Sequence, residues 1–540
     1  MLKLGYTVFR VKTRRNLSRA CKMPADNVPL RLPLLQFLRQ SRQLHLQHIS
    51  GTWTAPVPIY VLGNTSADLD SMISAIVYSY FASGNPYHSS HGRRPHIPLV
   101  NLPEVPSGHE LRRMRPEFVT ALWLSTGLNS ISSATSGKKG TSSVTQTEKE
   151  NGRQRQDTSE SSEFVDNVLR EHVLTVADLK EQNSGRRWRL DTVMVDWNAF
   201  PSSRPANTAI GKVGTLDALP SVDFNVVGCI DHHADEGFVS QTPSGGSSPS
   251  LPEPVVVELG PGSCASIVVR ELAWSGLWDG CSPLGELQLA KLALAPILID
   301  TNDLEYKATD VDRHAASFLE EKAQSAELHA TASSSWNRHS FFQSISESKQ
   351  NGIDLLTVPE ILGRDYKEWN EGDAMHQVKI GIACCIKPVE YVVAKTKVEQ
   401  NGSNNNADGD ADTSLHLFIN ALRSFAALRK LDVVALMTAF SDKNDKFRRE
   451  LLLYPLRSGA AEECCRRFAS HSESELGLVT WSLASVSPSY EMQGTGNDSS
   501  DVASFLNRDS PFWCRLWEQK DVSKSRKKVA PLLRGEVSRL

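Results

Sequence analysis

The segment VDFNVVGCIDHHADEG, residues 222–237, combines the signal for the fold with the first sign of chemistry in this chain. Its apolar part is typical of a buried β-strand, and this strand leads directly into Asp231, His232 and His233. Ionisable side chains at the edge of a core are costly unless they are paired or bind a ligand. The segment therefore predicts a buried strand with a functional site at its carboxyl end.

Apolar strands and helices alternate on both sides of this segment. Strand, helix or strand–turn–helix patterns are predicted for 57–64, 71–83, 190–198, 255–274 and 286–304. This alternation indicates an α/β fold with a mainly parallel sheet and helices on both faces. Acidic residues follow several of these apolar segments, and in open α/β sheets that edge binds ligands.

Changes in composition and in the pattern of apolar residues along the chain predict its division into domains. Residues 51–304 form the predicted α/β domain, 305–351 a polar helical connector, and 352–540 a smaller α+β domain. Residues 1–50 precede them as a basic extension followed by a helix. Polar inserts rich in Ser, Gly or Asn are predicted to be disordered; they cover 129–163, 240–254 and 399–413.

Composition limits the classes of function. The 540 residues carry a net charge of −3, which argues against a general nucleic-acid or membrane-surface protein. No apolar run reaches the eighteen or so residues of a spanning helix. The nine cysteines show no C-x-x-C pair, which indicates a reduced, intracellular chain.

The N-terminus favours two placements of the protein. The first 23 residues hold seven Lys or Arg and no acid. That composition is typical of a mitochondrial transit peptide, and a plain basic tail is the alternative. We therefore expect a cytoplasmic protein, or a mitochondrial matrix protein if the basic segment is a transit peptide.

Carboxylates and imidazoles make up the candidate site. Asp68 and Asp70 follow the first strand, and two carboxylates this close repel each other unless a cation lies between them. Taken alone, this pair is better explained by Asp70 as a helix N-cap. Asp196, the Asp231–His233 triplet and Asp300 also follow apolar segments. Carboxylates with imidazole suit Mg²⁺ or Mn²⁺, and two such ions can hold a nucleophilic hydroxide for phosphoryl transfer to water.

Ordered motifs then resemble a known family. GNTSADLDS (63–71), VMVDWN (193–198), CIDHHADEG (229–237) and LIDTNDL (298–304) resemble the motifs of the DHH phosphoesterases. GRDYKEW (363–369) and KSRKKVAPLL (524–533) resemble the phosphate-binding motifs of the DHHA2 domain. DHHA2 follows DHH in family II pyrophosphatases, eukaryotic exopolyphosphatases and prune-like proteins. The resemblance implies a DHH domain followed by a DHHA2 domain.

The resemblance also implies roles for individual residues. Asp196 resembles the carboxylate that bridges both metals, and Asp68 resembles a ligand of the first metal. The residues that resemble ligands of the second metal are Asp70, His232 and Asp300. His233 resembles the histidine on the attacked phosphate, as a catalytic acid, and Asp231 then orients an imidazole.

Asn64 departs from the pyrophosphatase pattern, in which a histidine stands at this position. The resemblance with Asn there is to the exopolyphosphatases and prune-like proteins. As a weak ligand, the amide should lower affinity for the first metal and favour Mg²⁺.

Basic residues of the second domain resemble substrate ligands. Arg526 can donate to two phosphate oxygens, and Lys367 and Lys527 act as point charges. Ser263 at a helix N-terminus can donate to phosphate or simply cap the helix. If these basic residues bind substrate, truncation after Gln519 should leave a folded, metal-binding, nearly inactive protein. A solvated basic tail is the alternative for 520–539.

The sequence thus predicts a phosphoric anhydride hydrolase, namely an exopolyphosphatase that releases orthophosphate from linear polyphosphate by attack of a metal-bridging hydroxide. The cofactors would be two divalent cations, Mg²⁺ or Mn²⁺, with Co²⁺ able to substitute. Alternatives are an inorganic pyrophosphatase, a nucleotide phosphodiesterase, or a prune-like interaction protein with residual activity. Polyphosphate is the expected partner, with no nucleic acid and no membrane, and the sequence is compatible with a monomer.

Overall fold

The structure is a computed structural model. It describes residues 32–53, 56–83, 94–128, 162–183, 185–205, 212–239, 253–279, 281–327, 336–372, 377–401, 411–442, 444, 446–457, 459–481 and 513–540. The predicted transit segment and most of the three predicted inserts lie outside these residues.

The first half of the chain forms a mainly parallel sheet. Its strands are β1 (Ile59–Leu62), β2 (His96–Leu99), β3 (Trp188–Val195), β4 (Ser202–Pro205), β5 (Lys212–Leu216), β6 (Leu219–Asp231) and β7 (Val255–Val257). Their order is β2-β1-β3-β6-β5-β4, with β7 paired to β6. The pairs of β1 with β2, β1 with β3, β3 with β6, and β6 with β7 are parallel, whereas β4 and β5 add an antiparallel edge.

Helices cover this sheet. They are α1 (Leu34–Ile49), α2 (Leu69–Ala82), α3 (His109–Met114), α4 (Pro116–Thr126), α5 (162–172), α6 (Val176–Gln182), α7 (Cys264–Trp274), α8 (Pro283–Thr301), α9 (Asp310–Glu327) and α10 (Arg338–Gly352). Alternate residues of β3 face two different apolar clusters: Val193 and Val195 face one, Leu190 and Met194 the other. Both faces of the sheet are therefore buried, as parallel sheets require.

The second half forms a mixed sheet of order β14-β15-β13-β10-β9-β8. Its elements are α11 (Val358–Arg364), β8 (Tyr366–Glu371), β9 (Val378–Cys385), α12 (Val389–Asn401), α13 (Ala411–Leu428), β10 (Val433–Thr438), β11 (Phe440–Ser441), β12 (Phe447–Arg448), β13 (Glu450–Pro455), α14 (Ala460–Leu476), β14 (Leu478–Thr480), β15 (Arg515–Gln519) and α15 (Arg526–Val537). Only β9 and β10 pair in parallel among the described strands of this sheet. The predicted fold class, an α/β domain followed by an α+β domain, is confirmed.

Several local predictions differ from the structure. Asp300 lies inside the last turn of α8 rather than in a loop after it. The N-cap of α2 is Asp68, whose carboxylate accepts the Ser71 N–H, so Asp70 belongs to the first helical turn. Glu253, within a predicted insert, is buried and accepts hydrogen bonds from Tyr78. Sequence composition alone did not show these tertiary contacts.

The segment predicted as a connector packs on the first domain. Ala316 and Leu319 of α9 and Phe341 and Ile345 of α10 belong to the same apolar cluster as α2 and α8. Among the described residues, no helix has both the length and the apolar character needed to cross a membrane.

Candidate metal and phosphate site

Asp196 lies at the centre of the candidate site. It follows β3 with a left-handed backbone (φ 55°), a conformation that aspartate adopts more readily than most residues. Its side chain is buried, and Oδ2 accepts hydrogen bonds from Asn64 Nδ2 (2.7 Å) and Ser71 Oγ (2.6 Å). Oδ1 is buried and has no hydrogen-bond partner among the described residues. An orphaned buried carboxylate oxygen indicates a place for a cation.

His232 presents a nitrogen to this orphaned oxygen. Its Nδ1 donates to the Pro261 carbonyl oxygen at 2.9 Å, which assigns the ring proton to Nδ1. The unprotonated Nε2 lies 3.1 Å from Asp196 Oδ1. Two electron-rich atoms at this distance repel each other, and a divalent cation between them would remove the conflict. The carbonyl bond to Nδ1 is also the contact that metal-binding histidines usually make.

Asp231 contacts the backbone of His232 and the ring of His233. Its Oδ1 accepts hydrogen bonds from the His232 backbone N–H and from His233 Nδ1, both at 2.8 Å. Its Oδ2 accepts a hydrogen bond from Asn198, a residue that the sequence analysis did not assign. With Nδ1 of His233 engaged in this way, Nε2 faces the second domain. The predicted orienting contact of Asp231 is therefore present, but it acts on the ring of His233 rather than on that of His232.

The structure thus brings Asp196, His232 and His233 into one group, whose potential ligand atoms lie within 4.8 Å of one another. Asp70 is next to it, with Oδ2 3.8 Å from His232 Nε2. Asp68 and Asp300 are not in the group, although both carboxylates contribute to the electrostatics of their neighbours. The residues fit at least one metal ion.

Asp70 already has several hydrogen-bond donors. Its carboxylate accepts the backbone N–H groups of Cys264 (2.6 Å) and Ala265 (2.9 Å) and the Ser263 hydroxyl (2.9 Å). It therefore binds the N-terminus of α7 from a different helix. Ser263 is completely buried, and its hydroxyl is directed at Asp70 rather than at a place for phosphate. The structure thus gives no support for Ser263 as a phosphate ligand.

Mutual repulsion of carboxylates is the main electrostatic feature of the site. Burial and then Asp196 raise the pKa of Asp70 to about 7. Burial and then Asp68 raise the pKa of Asp196 well above its usual value, and burial and Asp70 do the same for Asp300. Part of Asp300 is nevertheless exposed to solvent. Such a cluster is unstable as anions without a cation.

Asn64 is not placed as a metal ligand. Its side-chain NH₂ donates to Asp196, while its Oδ1 accepts the backbone N–H groups of Ser66 (2.8 Å) and Ala67 (3.2 Å). Both ends of the amide are occupied, so it offers no lone pair to a metal. In this arrangement, Asn64 acts by holding the carboxylate of Asp196 in place.

The second domain contributes cations to the same site. Lys367 Nζ lies 3.2 Å from His233 Nε2, and Lys527 Nζ lies 3.1 Å from His232 Nε2. Burial and then these lysine charges lower the pKa of both histidines, which keeps the rings neutral. Arg526 donates to the Asp365 carbonyl (3.0 Å) and carboxylate (2.6 Å). Of the three basic residues predicted to bind substrate, Lys367 and Lys527 therefore contact the histidines, whereas Arg526 is paired with Asp365 and acts on His233 only through its charge.

Arg115 joins the two halves of the site and was missed in the sequence. Its fully buried guanidinium donates to the carbonyl oxygens of Ala67 (2.9 Å) and Arg364 (2.7 Å), and also to that of Ser66. Ala67 and Ser66 belong to the loop before Asp68, and Arg364 immediately precedes Asp365. Arg115 is one of three arginines in RRMRPEF, and the sequence did not indicate its role because most of its acceptors are backbone atoms far away in sequence.

Residues 343–535 match the DHHA2 domain family. The chain is 26% identical over 506 residues to a Schizosaccharomyces pombe protein described as a "putative exopolyphosphatase", covering 92% of this chain and 95% of that protein. A solved exopolyphosphatase-related protein from Bacteroides fragilis covers 92% of this chain and 96% of its own at 10% identity, with a TM-score of 0.30.

The resemblance to DHH phosphoesterases with a DHHA2 domain is thereby confirmed. These findings support a phosphohydrolase of the DHH type with an acidic and histidine-containing metal site.

Proposed function

We propose that this protein is a metal-dependent exopolyphosphatase, which releases terminal orthophosphate from linear inorganic polyphosphate. One observation carries the proposal: Asp196 Oδ1, which has no hydrogen-bond partner among the described residues, lies 3.1 Å from His232 Nε2, and Lys367 and Lys527 contact the two histidines. The first two atoms call for a cation and the lysines for an anion. A divalent cation with a phosphate oxygen satisfies both needs. The S. pombe relative supports polyphosphate as the phosphate compound.

Asp196, His232 and Asp70 would hold the metal, with Asp68 and Asp300 as ligands of a two-ion site. Mg²⁺ or Mn²⁺ suits these donors, and Co²⁺ can substitute. When bound, such ions supply a hydroxide nucleophile at neutral pH and neutralise charge on the phosphoryl group.

The chain's own residues bind and orient the substrate. Asp231 fixes the ring of His233, so that neutral Nε2 points at Lys367. A neutral Nε2 accepts a proton and does not donate one, which argues against His233 as the acid. Lys367 is the group in that contact with a proton to give, and its pKa is lowered by burial and by Arg526. Arg526 and Lys527 would hold the phosphate that leaves.

The test is phosphate release by purified protein stripped of metal with a chelator. Long-chain polyphosphate, tripolyphosphate and pyrophosphate are compared after addition of Mg²⁺, Mn²⁺ or Co²⁺. We expect release from polyphosphate only after metal is added, and much slower release from pyrophosphate. Full activity in excess chelator, or hydrolysis of pyrophosphate alone, would contradict the proposal.

A further inference from the structure

Lys307 and Arg449 are two cations from opposite halves of the molecule, and neither has a role in the site described so far. Lys307 follows α8 in a left-handed conformation (φ 59°), and its side chain is exposed. Arg449 lies between β12 and β13, and only 8% of it is exposed. Neither residue belongs to the motifs from which the site was predicted.

Arg449 and Tyr306, the residue before Lys307, donate to the same backbone atom, the carbonyl oxygen of Val522. Arg449 Nε donates to it at 2.8 Å, and the hydroxyl of Tyr306, next to Lys307, donates to it at 3.1 Å. The Tyr306 ring lies 6.2 Å from that of Phe447, over which the Arg449 guanidinium is placed at 5.1 Å. Arg449 and the residue next to Lys307 thus both contact the loop that leads into Arg526 and Lys527.

Neither cation has an acidic partner. Within the part of the chain that the structure describes, Arg449 makes only the bond to Val522 with one of its five donors, and Lys307 is in no ion pair. Burial and then the charges of Arg449 and Lys527 lower the pKa of Lys307 to about 8, while Asp300 opposes them. A nine-tenths buried arginine whose charge acts on a neighbouring lysine is costly unless an anion lies between them.

These cations continue a series that begins at the metal group. Lys527 contacts His232 on one side and is an electrostatic neighbour of Lys307 on the other. Lys527 and Lys307 are both exposed to solvent, whereas His232 is buried, so these charges lie between the buried imidazole and the surface. A short phosphate compound at His232 would end before Lys307, whereas a longer chain would pass it.

We infer that Lys307 and Arg449, together with Lys527, form a subsite for the inner phosphates of a linear polyphosphate of three or more units. This inference rests on the proposed function and extends it: the subsite would select chain length, while the metal group and Lys367 act on the terminal phosphate.

The experiment compares Lys307→Ala with Lys528→Ala as the matched control. Lys528 is a neighbour of Lys527 in sequence, but its amine pairs with Glu475 on the surface. KM and kcat are measured for pyrophosphate, tripolyphosphate and long-chain polyphosphate at two salt concentrations. We expect Lys307→Ala to raise KM for tripolyphosphate and longer chains about tenfold, to weaken their salt dependence, and to leave pyrophosphate within about twofold. Lys528→Ala should resemble the wild type with every substrate.

Arg449→Lys separates binding from structure. It keeps the charge but loses the planar donor to Val522, so a purely structural role predicts equal losses with all substrates. A selective loss with long chains supports the subsite. Unchanged kinetics in Lys307→Ala, or equal losses with pyrophosphate and long chains, would overturn it. If the wild-type protein released no phosphate from any polyphosphate, the proposed function itself would fail.

Discussion

The two domains contribute opposite charges to the candidate site, so each domain lacks the counter-ion of its own groups. The first domain contributes carboxylates and imidazoles that are mostly buried, and burial and then neighbouring carboxylates raise the pKa values of Asp70, Asp196 and Asp300. The second domain contributes Lys367, Arg526 and Lys527, which are at least partly exposed. One side needs a cation and the other an anion. The comparison indicates that metal binding and substrate recognition are separable, although they meet at the histidines.

Asp196→Asn should have the largest effect on the metal side. The amide keeps the size of the side chain but removes the negative charge from the orphaned position. We expect phosphate release to fall more than about 10³-fold, with divalent-cation binding strongly weakened in calorimetry. Circular dichroism should show a native fold. A variant that keeps a tenth of wild-type activity would show that Asp196 does not hold the metal.

Arg526 tests the opposite side. Arg526→Ala should lower kcat/KM about 10²-fold, and Arg526→Lys should recover only part of it, because lysine cannot reproduce the paired donors. Metal affinity measured by calorimetry should remain within a few-fold of the wild type, unlike in Asp196→Asn. Equal loss of metal affinity in both variants would mean that the two sides are not separable.

Asn64→Ala would sharpen the metal side with a smaller effect. The change removes the donor that holds Asp196 Oδ2, and loss of such supporting contacts typically costs 10- to 100-fold in metal affinity. We expect the concentration of Mn²⁺ that gives half-maximal activity to rise by about that factor, while KM for polyphosphate at saturating metal changes little. Unaltered Mn²⁺ dependence would show that Ser71 alone is sufficient to hold the carboxylate.

The smallest predicted effect concerns an ion pair between the domains and depends on pH. The hydrogen bond from Arg113 is the main cause that lowers the pKa of Glu360 to about 2. Because the folded pKa is lowered, the pair stabilises the protein above the usual glutamate pKa and loses its effect as pH falls toward 2. Glu360→Gln should therefore cost about 1–2 kcal/mol at pH 7 in urea unfolding, including its part in capping α11, and less at pH 3. A difference independent of pH would contradict this account.

The sequence motifs predicted the strands and helices of the first domain and the residues that come together at the site. They could do so because strand ends and residue types are local signals. Asp196, Asp231 and the histidines lie at the edge expected for a parallel sheet. The orientation of Asn64 and the capping of α7 by Asp70 could not be predicted, since both depend on contacts across the fold. Arg115 was invisible for the same reason.

One expectation about the C-terminus was wrong. Truncation after Gln519 would remove α15, whose Val529, Ala530, Leu533 and Val537 are buried in the core of the second domain. Loss of such a helix face costs several kcal/mol, so the truncated chain should not remain folded. Arg526 and Lys527 stand on a structural helix and not on a tail, which is why single substitutions are the appropriate test.

Arg115 has a consequence for how the chain unfolds. Its guanidinium is shared between backbone carbonyls of both domains, and next to it Arg364 forms a buried ion pair with Glu117 at 2.6 Å. Separating the domains would break this ion pair and the hydrogen bonds by which Arg115 joins the two domains. We expect these buried polar contacts to couple the unfolding of the two sheets, which would appear as a single calorimetric transition.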